Sequence, residues 1–246
     1  MSDNEFETTI NIPEFSSYLE KKIFCPICSN RIPWDKTLAI APCPFCNAML
    51  FYPRLVGKYL LYKPLGTGGV GHVFKAFRHD LPGRYVVKIL PAEKRNDPIY
   101  REDILREART GNIVGNHPNL VPVIEYGEEP ETPYFIMPFI AGERLDFYIK
   151  RKKHLSEIRA LNIVKQIIEA EMHIVSCGYL YRDLKLENIL LEKNGNVRMF
   201  DYGLCIPKSE AVAKDFIPDE FAGSPLYIPP ERIVGASEGE YSEIYS

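Results

Sequence analysis

The stretch YLYRDLKLENILL, residues 179–191, places acidic, basic and amide side chains at close spacing. Asp183 is followed by Lys185 and Asn188, and a further acidic residue, Asp201, lies ten residues beyond the stretch in VRMFDYGLC. This pattern is typical of a loop that holds a catalytic base and a metal ligand in an enzyme of phosphoryl transfer. The stretch therefore predicts that chemistry, provided that other segments of the chain bind the phosphates.

A glycine-rich segment upstream, LGTGGVGHVFKA, could offer backbone N–H groups to phosphates. It contains Gly66-x-Gly68-x-x-Gly71-x-Val73. Dinucleotide-binding folds carry the same glycine spacing, but in those folds the glycines open a helix. Here the residues that follow are typical of a strand, so we expect a glycine hairpin between two strands that lies over the phosphates.

Lys88 lies seventeen residues after Gly71, in the strand-like YVVKIL, and is a candidate ligand of the α- and β-phosphates. Its ammonium would itself need an acidic partner, and Glu107, 19 residues further on in a predicted helix, is the candidate. Taken alone, Lys88 would be better interpreted as a solvated strand lysine. The acidic and amide residues downstream favour the phosphate-binding role.

Four of the six cysteines form two C-x-x-C pairs, Cys25 with Cys28 and Cys43 with Cys46, separated by 14 residues. Each pair can bind one edge of a metal ion, and two pairs complete a tetrahedron that suits Zn²⁺. A site of four thiolates is closed, so the zinc would be structural. The alternative, four free or redox-active cysteines, is weaker because both pairs have the same form.

The segments that must position these residues differ along the chain. Residues 1–22 are polar and acidic and are interpreted as a flexible leader, and residues 23–53 as a zinc-ribbon-like module. From Gly57 onward, β-branched and aromatic runs predict strands. A long amphipathic helix follows near 156–177, with Gly178 as its stop. The apolar residues that recur in it at helical spacing are Ile158, Leu161, Val164, Ile168 and Met172.

Composition limits the partners of the chain. With 30 basic and 33 acidic residues among 246, the formal net charge of −3 gives no global attraction to nucleic acid or to an anionic membrane. No apolar run is long enough for a transmembrane helix, and no basic segment followed by an apolar one predicts a secretory signal. We therefore expect a cytoplasmic protein without nucleic-acid or membrane partners.

Six features occur in order: the glycine loop, Lys88 on a strand, Glu107 on a helix, R-D-x-K-x-x-N, D-Y-G and P-P-E. Together they resemble the eukaryotic-type serine/threonine protein kinase family, in a bacterial-like form, from about Gly57 to the end of the chain. The resemblance implies an α+β fold with two lobes, preceded by the small zinc ribbon. The β-rich N-lobe would span about 57–140 and the helical C-lobe about 141–246.

The resemblance also implies roles for the residues of the opening stretch. Asp183 would accept or orient the proton of the substrate hydroxyl, and Asn188 and Asp201 would bind Mg²⁺. Lys185 would lie near the transferred phosphoryl group, which favours serine and threonine over tyrosine as acceptors. Arg182 corresponds to the arginine of kinases that are controlled by a phosphate on the activation loop.

The same resemblance implies a binding site for ATP. Met137 corresponds to the gatekeeper beside the adenine pocket, Pro138 to a hinge residue that offers its carbonyl, and Ile140 to the hinge residue that offers its N–H. The other residues assigned to ATP are Gly66, Gly68, Gly71, Val73, Val86, Lys88, Glu107 and Leu190.

Several positions depart from the family pattern. Tyr181 replaces the commoner histidine and Tyr202 the commoner phenylalanine, both as conservative aromatic choices. Gly111 lies where the family usually packs an apolar side chain, which predicts either a looser helix or a register shifted by one residue. For Arg182 we expect a partner that is either a phosphate on Ser209 or a carboxylate. The carboxylates considered are Glu210, Asp215, Asp219 and Glu220.

The kinase-like part ends early in comparison with the family. Its last residues, GEYSEIYS, resemble the opening of the large central helix of the C-lobe. Glu243 stands there where the family usually has an aspartate bonded to the backbone of the catalytic loop. An incomplete C-lobe predicts exposed apolar surface on the helix near 156–177 and on the catalytic loop.

The leading hypothesis is a serine/threonine protein kinase that transfers the γ-phosphoryl group of ATP, with Mg²⁺, to a protein substrate. The zinc ribbon would then dock a partner or regulate the kinase. The alternative is a catalytically silent ATP-binding or scaffold fragment, because the C-lobe is incomplete. The intact set of motif residues argues against a degenerate kinase. A nucleic-acid-binding ribbon is disfavoured because the sequence has no strong positive charge.

Overall fold

The computed structural model describes residues 23–25, 27–32, 39–52, 54–67, 70–78, 80–129, 132–211 and 226–245. The predicted leader, Gly68, Asp215, Asp219 and Glu220 lie outside the described residues. The chain divides into two compact units, Met1–Gly66 with Phe74–Arg84, and Thr67–Val73 with Tyr85–Ser246. The lobe boundary near residue 140 stays a prediction.

The strands from β1 to β7 lie largely in the first unit. β1 pairs with β2, β3 with β4 and β5 with β6, all antiparallel. The reversal between β5 and β6 is tight because Gly57 adopts a φ of 54°, which glycine accepts without steric cost. The bounds are β1 Ile23–Phe24, β2 Arg31–Ile32, β3 Ala39–Pro42, β4 Met49–Tyr52, β5 Arg54–Val56, β6 Tyr59–Thr67 and β7 His72–Phe77.

The second unit contains the remaining strands and the helices. The strands are β8 Tyr85–Ile89, β9 Glu125–Glu128, β10 Pro133–Pro138, β11 Gly142–Arg144, β12 Tyr179–Leu180, β13 Ile189–Glu192, β14 Val197–Met199 and β15 Ile206–Pro207. The helices are α1 Pro98–Val114, α2 Leu145–Lys152, α3 Glu157–Ser176, α4 Pro230–Ile233 and α5 Glu240–Tyr245. β10 lies between β8 and β9, and β13 lies between β11 and β14.

α1 has a well-defined start. Asp97 is its N-cap and accepts a hydrogen bond from the backbone N–H of Ile99, and Pro98 occupies the first helical position. Ile104 and Ala108 of this helix pack in one core cluster with Phe135 of β10. This packing fixes α1 against the sheet that carries Lys88.

α3 is the long helix that the sequence predicts. It ends at Ser176, and Gly178 follows with a φ of +85°, as expected of a stop. Its buried face consists of Ile163, Ala170 and Ile174, which pack in the core with Tyr181 and Met199 of the catalytic region.

The apolar repeat picked out in the sequence forms a different face of α3. These side chains are between 49% and 75% exposed: Ile158, Leu161, Val164, Ile168 and Met172. The helix is therefore apolar on two faces, and the repeat marks the uncovered one. The exposed apolar surface predicted for this helix is confirmed. The same prediction for the catalytic loop is wrong, because Leu180 and Tyr181 pack in the core. Separately, none of the helices in the described part of the chain is long and apolar enough to cross a bilayer.

Candidate active site

The hairpin of β13 and β14 brings the predicted catalytic segments together. Ile189 pairs with Met199 in the ladder, and the N–H of Phe200 donates to the carbonyl of Asn188 at 3.1 Å. Asn188 and Asp201 therefore lie at the same end of this hairpin. Mg²⁺ takes oxygen ligands, and both side chains carry oxygen atoms. The metal site expected at this end of the hairpin stays a prediction.

Asp183 is held by two neighbours of the same loop. The Nζ of Lys185 lies 2.9 and 2.8 Å from its two carboxylate oxygens, and the Nδ2 of Asn188 donates to its Oδ2 at 2.7 Å. Burial raises the pKa of Asp183 above its ordinary value, although the contacts with Lys185 and Asn188 act in the opposite direction. The arrangement suits a proton acceptor, because its carboxylate is oriented and more basic than an exposed aspartate.

Lys88 and Glu107 form a buried ion pair. The Nζ of Lys88 lies 2.7 Å from both carboxylate oxygens of Glu107, and the two residues are 7% and 3% exposed. Burial alone would lower the pKa of Lys88, but the negative charges of Glu107 and Asp201 hold it above its ordinary value. The ammonium of Lys88 is therefore positively charged and held in place by Glu107. It also interacts electrostatically with the carboxylate of Asp201.

The glycine segment approaches β8 closely at Gly71. A Cβ atom added there would lie 3.0 Å from the carbonyl oxygen of Ile89 and 3.2 Å from the Cγ of Lys88, whereas one added at Gly66 would meet nothing within 4 Å. A side chain at position 71 would therefore crowd strand β8, so close packing favours glycine there. At position 66 the structure has space for a side chain.

The side chains assigned to the adenine site are all half-buried: Val73, Val86, Met137, Pro138, Ile140 and Leu190. Their strand neighbours Val87, Ile136 and Ile189 are buried in the core. Met137 pairs with Val86 in the ladder of β10 and β8. This pattern is compatible with apolar side chains that cover a ligand, and their role stays a prediction.

Gly111 does not interrupt its helix, because α1 continues to Val114. Tyr202 and Val123 fill the space beside it, since a Cβ atom at Gly111 would lie 2.7 Å from the Cδ2 of Tyr202 and 2.6 Å from the Cγ2 of Val123. Gly111 therefore lies against Tyr202 of the D-Y-G segment, and the looser helix and the shifted register stay predictions.

Arg182 has a carboxylate partner that the sequence did not identify. Its guanidinium donates to Glu238 at 2.7 and 3.1 Å, and Arg232 donates to the same carboxylate at 2.8 Å. Burial opposes ionisation of Glu238, but the hydrogen bonds from Arg232 and Arg182 hold its pKa below the ordinary value. No motif marked Glu238, which is 56 residues from Arg182 along the chain.

Glu243 of α5 contacts the catalytic loop as the sequence predicted. Its carboxylate accepts the backbone N–H of Arg182 at 3.0 and 3.2 Å. Arg182 adopts a φ of 68°, which is unusual for a residue other than glycine. Arg232 also donates to the carbonyl of Arg182 at 2.9 Å. Arg182, the residue directly before Asp183, is thus fixed through its backbone and its side chain by Glu243, Glu238 and Arg232.

The four cysteines Cys25, Cys28, Cys43 and Cys46 converge, with all sulfur atoms within 4.8 Å of one another. The Sγ atoms of Cys25 and Cys46 are 3.7 Å apart, and those of Cys28 and Cys43 are 3.8 Å apart. A tetrahedron with Zn–S bonds of about 2.3 Å requires sulfur atoms about 3.8 Å apart. The observed spacing fits one zinc ion.

Both cysteine pairs lie in the same kind of turn. Ser29 donates its N–H to the carbonyl of Cys25, Asn47 does the same to Cys43, and Ser29 and Asn47 have φ values of 56° and 60°. The backbone hydrogen bond from Asn30 lowers the pKa of Cys28 to about 7. The backbone hydrogen bond with Ala48 acts in the same direction on Cys46, but burial and the neighbouring cysteines outweigh it and raise the pKa of Cys46 to about 12. A bound metal ion would require all four thiols to lose their protons.

Comparisons with known proteins agree with this geometry. The family profile described as protein kinase domain matches residues 59–246. Serine/threonine-protein kinase PknA of Mycobacterium tuberculosis is 34% identical over 197 residues, which are 78% of this chain and 45% of PknA. Serine/threonine-protein kinase PrkC of Bacillus subtilis is 31% identical over 198 residues, 80% of this chain and 30% of PrkC. The chain spans less than half the length of these relatives.

Proposed function

The chain belongs to the protein kinase domain family, and from this premise we propose that it transfers the γ-phosphoryl group of ATP to a serine or threonine hydroxyl of a protein substrate. The observation that carries the proposal is Asp183, oriented by Lys185 and Asn188. Two relatives described as serine/threonine-protein kinases support the choice of acceptor.

Each residue then has a defined task. Asp183 accepts or orients the proton of the attacking hydroxyl, and Lys185 contributes positive charge beside the transferred group. Lys88 binds the α- and β-phosphates and is itself positioned by Glu107. Asn188 and Asp201 would hold Mg²⁺, which when bound offsets the negative charge of the phosphates.

The adenine ring would lie among the half-buried side chains Val73, Val86, Met137 and Leu190, with the carbonyl of Pro138 and the N–H of Ile140 as its hydrogen-bonding partners. The glycine segment Gly66, Gly68 and Gly71 would cover the phosphates with backbone N–H groups.

The proposal is tested by incubating the purified chain with ATP labelled in the γ position, Mg²⁺ and a generic acceptor such as casein. Transfer that requires Mg²⁺ and yields phosphoserine or phosphothreonine is the expected result. A monodisperse sample that binds ATP but transfers no label would instead support the alternative, a catalytically silent ATP-binding or scaffold fragment.

For the cysteine module we propose a structural zinc site, and with it a cytoplasmic location, because thiolates stay reduced there. Metal analysis should find about one zinc ion per chain, and Cys25→Ser should lower this value. Cys177→Ser, which changes a cysteine outside the cluster, is the matched control. Zinc affinity should fall as the pH is lowered, since protons compete for the thiolates. Equal zinc content in Cys25→Ser and wild type would contradict the site.

The ion pair with Glu238 predicts that Arg182 is satisfied without a phosphate on Ser209. We expect Ser209→Ala to retain the rate of transfer and Glu238→Gln to lower it several-fold, because the neutral side chain no longer balances Arg182 and Arg232. The transfer rates of both variants, together with mass spectrometry that shows whether Ser209 carries a phosphate in wild type, test this expectation. Loss of activity in Ser209→Ala together with phosphorylated Ser209 in wild type would favour the phosphate.

A further inference from the structure

A run of basic residues lies where helix α2 ends and α3 begins. The segment KRKKHLSEIR, residues 150–159, holds five basic residues against one acidic residue, Glu157. The whole chain has a net charge of −3, so this local excess of positive charge contrasts with the rest of the protein. All five basic residues are exposed and form a basic patch: Lys150, Arg151, Lys152, Lys153 and Arg159.

The dipole of α2 accounts for only part of this charge. Basic residues are favourable in the last turn of a helix, and Lys150, Arg151 and Lys152 lie in the last turn of α2. Arg159, in contrast, lies in the first turn of α3, where the helix dipole disfavours positive charge. Lys153 adopts a φ of 65°, a conformation that is usual for glycine at the end of a helix. Two of the five basic residues therefore stand where the local structure does not favour them.

The ring of Tyr148 brings charges of both helices together. The guanidinium carbon of Arg151, on α2, lies 5.3 Å from the centre of this ring, and that of Arg159, on α3, lies 5.5 Å from it. These cation–π contacts restrict the two guanidinium groups. Ordered guanidinium groups suit carboxylate or phosphate groups, because their planar arrangement of donors allows bidentate hydrogen bonds.

One carboxylate of the chain already occupies part of the patch. Glu143 accepts hydrogen bonds from Arg151 at 3.0 and 2.6 Å. The hydrogen bond from Arg151, with the charges of Arg151 and Lys152, holds the pKa of Glu143 below its ordinary value although burial acts against this. Among the residues that the structure describes, this is the one ion pair that the patch makes. The charges of Lys150, Lys153 and Arg159 are therefore available to a partner.

Helix α2 also packs against the catalytic loop. Tyr148 and Ile149 lie against the same core cluster as Leu184 and Leu186 of that loop. The patch and Asp183 thus belong to one compact unit of the chain. A substrate held at the patch would have a raised effective concentration at the site of transfer.

We propose that the basic patch docks an acidic segment, rich in aspartate and glutamate, of the protein substrate. This inference rests on the proposed function, which supplies the protein substrate. The exposed ammonium and guanidinium groups match the carboxylates of such a segment, and charge complementarity of this kind selects partners. Single-stranded nucleic acid fits less well, because it is usually bound by aromatic faces on which bases stack. Tyr148 is half-buried and contacts two guanidinium groups instead.

The first test measures binding without catalysis. A fluorescent peptide in which aspartate and glutamate alternate with glycine, and a matched peptide with asparagine and glutamine at the same positions, are titrated with the full chain at low ionic strength. Anisotropy should show binding of the acidic peptide, which weakens as salt is added. The triple variant Lys150→Gln, Lys153→Gln and Arg159→Gln should bind it about five- to fiftyfold more weakly, as expected for the loss of three exposed charge pairs.

A second triple variant is the matched control. Lys58→Gln, Lys165→Gln and Arg109→Gln remove the same number of lysine and arginine charges from exposed positions outside the patch. The net charge of the chain changes by the same amount, so a non-specific effect of charge would weaken binding equally in both variants. We expect the control to bind the acidic peptide as wild type does.

The second test joins the acidic or the neutral segment to one acceptor peptide that carries a single serine. In wild type the acidic form should have the lower KM at equal kcat, because docking outside the reacting centre changes binding alone. In the triple variant of the patch the two KM values should coincide, while kcat stays at the wild-type value.

The negative outcomes are distinguishable. Equal affinity of wild type for the acidic and the neutral peptide overturns the inference, as does unchanged affinity in a patch variant that folds like wild type. Tighter binding of a single-stranded oligonucleotide or of phosphatidylserine vesicles through the same three residues also overturns it. If wild type phosphorylates neither acceptor peptide, the proposed function fails, whereas the binding test still supports or overturns the docking surface.

Discussion

Replacing Asp183 by asparagine is expected to lower kcat for phosphoryl transfer by about 10²- to 10⁴-fold, the usual contribution of a positioned general base. Asparagine has nearly the same shape and can still accept a hydrogen bond from Lys185. It cannot take up the proton of the attacking hydroxyl. The variant should therefore fold and bind ATP like wild type while losing the chemical step.

Single-turnover transfer from labelled ATP, with nucleotide binding measured in parallel, checks this expectation. Asp103→Asn is the matched control, because Asp103 is an aspartate in a surface pair with Arg106 on α1 and lies outside the catalytic loop. Its rate should equal that of wild type. If the Asp183→Asn variant transfers phosphate at more than a tenth of the wild-type rate, Asp183 is not the general base.

The same carboxylate gives the reaction a pH dependence. Burial raises the pKa of Asp183, whereas Lys185 lowers it. The base must be deprotonated, so the acid limb of the profile of kcat/KM should lie above the ordinary range for aspartate. In Lys185→Met the limb should move to still higher pH, because the stabilising charge is gone.

Contacts between residues that share a motif, or that are paired by known chemistry, could be predicted from the sequence. The four cysteines are one example, because two C-x-x-C pairs at this spacing are typical of a zinc site. Lys88 and Glu107 are another, since a buried ammonium requires a carboxylate. The contact of Glu243 with the catalytic-loop backbone was implied by the resemblance to the kinase family, which usually has an aspartate bonded to this backbone at that position.

Other contacts could not be predicted, because they depend on which distant surfaces meet. Glu238 binds Arg182 across 56 residues, and the Tyr202 hydroxyl reaches a carbonyl 81 residues away. At Gly111 the sequence left two interpretations open, a looser helix or a register shifted by one residue, because its neighbour Tyr202 could not be identified from the sequence. The periodicity of α3 identified a helix, yet a helix that is apolar on two faces gives no sign of which face the core covers.

The ion pair of Lys88 and Glu107 predicts the second large effect, on both stability and activity. Glu107→Gln removes the carboxylate that lies against the buried ammonium of Lys88 and leaves only the charge of Asp201 to offset it. Removal of one partner from a buried pair typically costs about 3–5 kcal/mol in the free energy of unfolding. We expect a loss of this size in urea denaturation, together with weaker ATP binding because Lys88 is no longer held in place.

A double variant separates the two effects. In Lys88→Met with Glu107→Leu, apolar side chains of similar volume replace both charges, and such replacements are often neutral or stabilising. Stability should return to near the wild-type value while ATP binding and transfer stay low, since no ammonium remains for the phosphates. Glu102→Gln with Arg109→Met, a surface pair on α1, is the control and should change neither. If the stable double variant binds and uses ATP as wild type does, Lys88 is a structural residue and the phosphates must be held elsewhere.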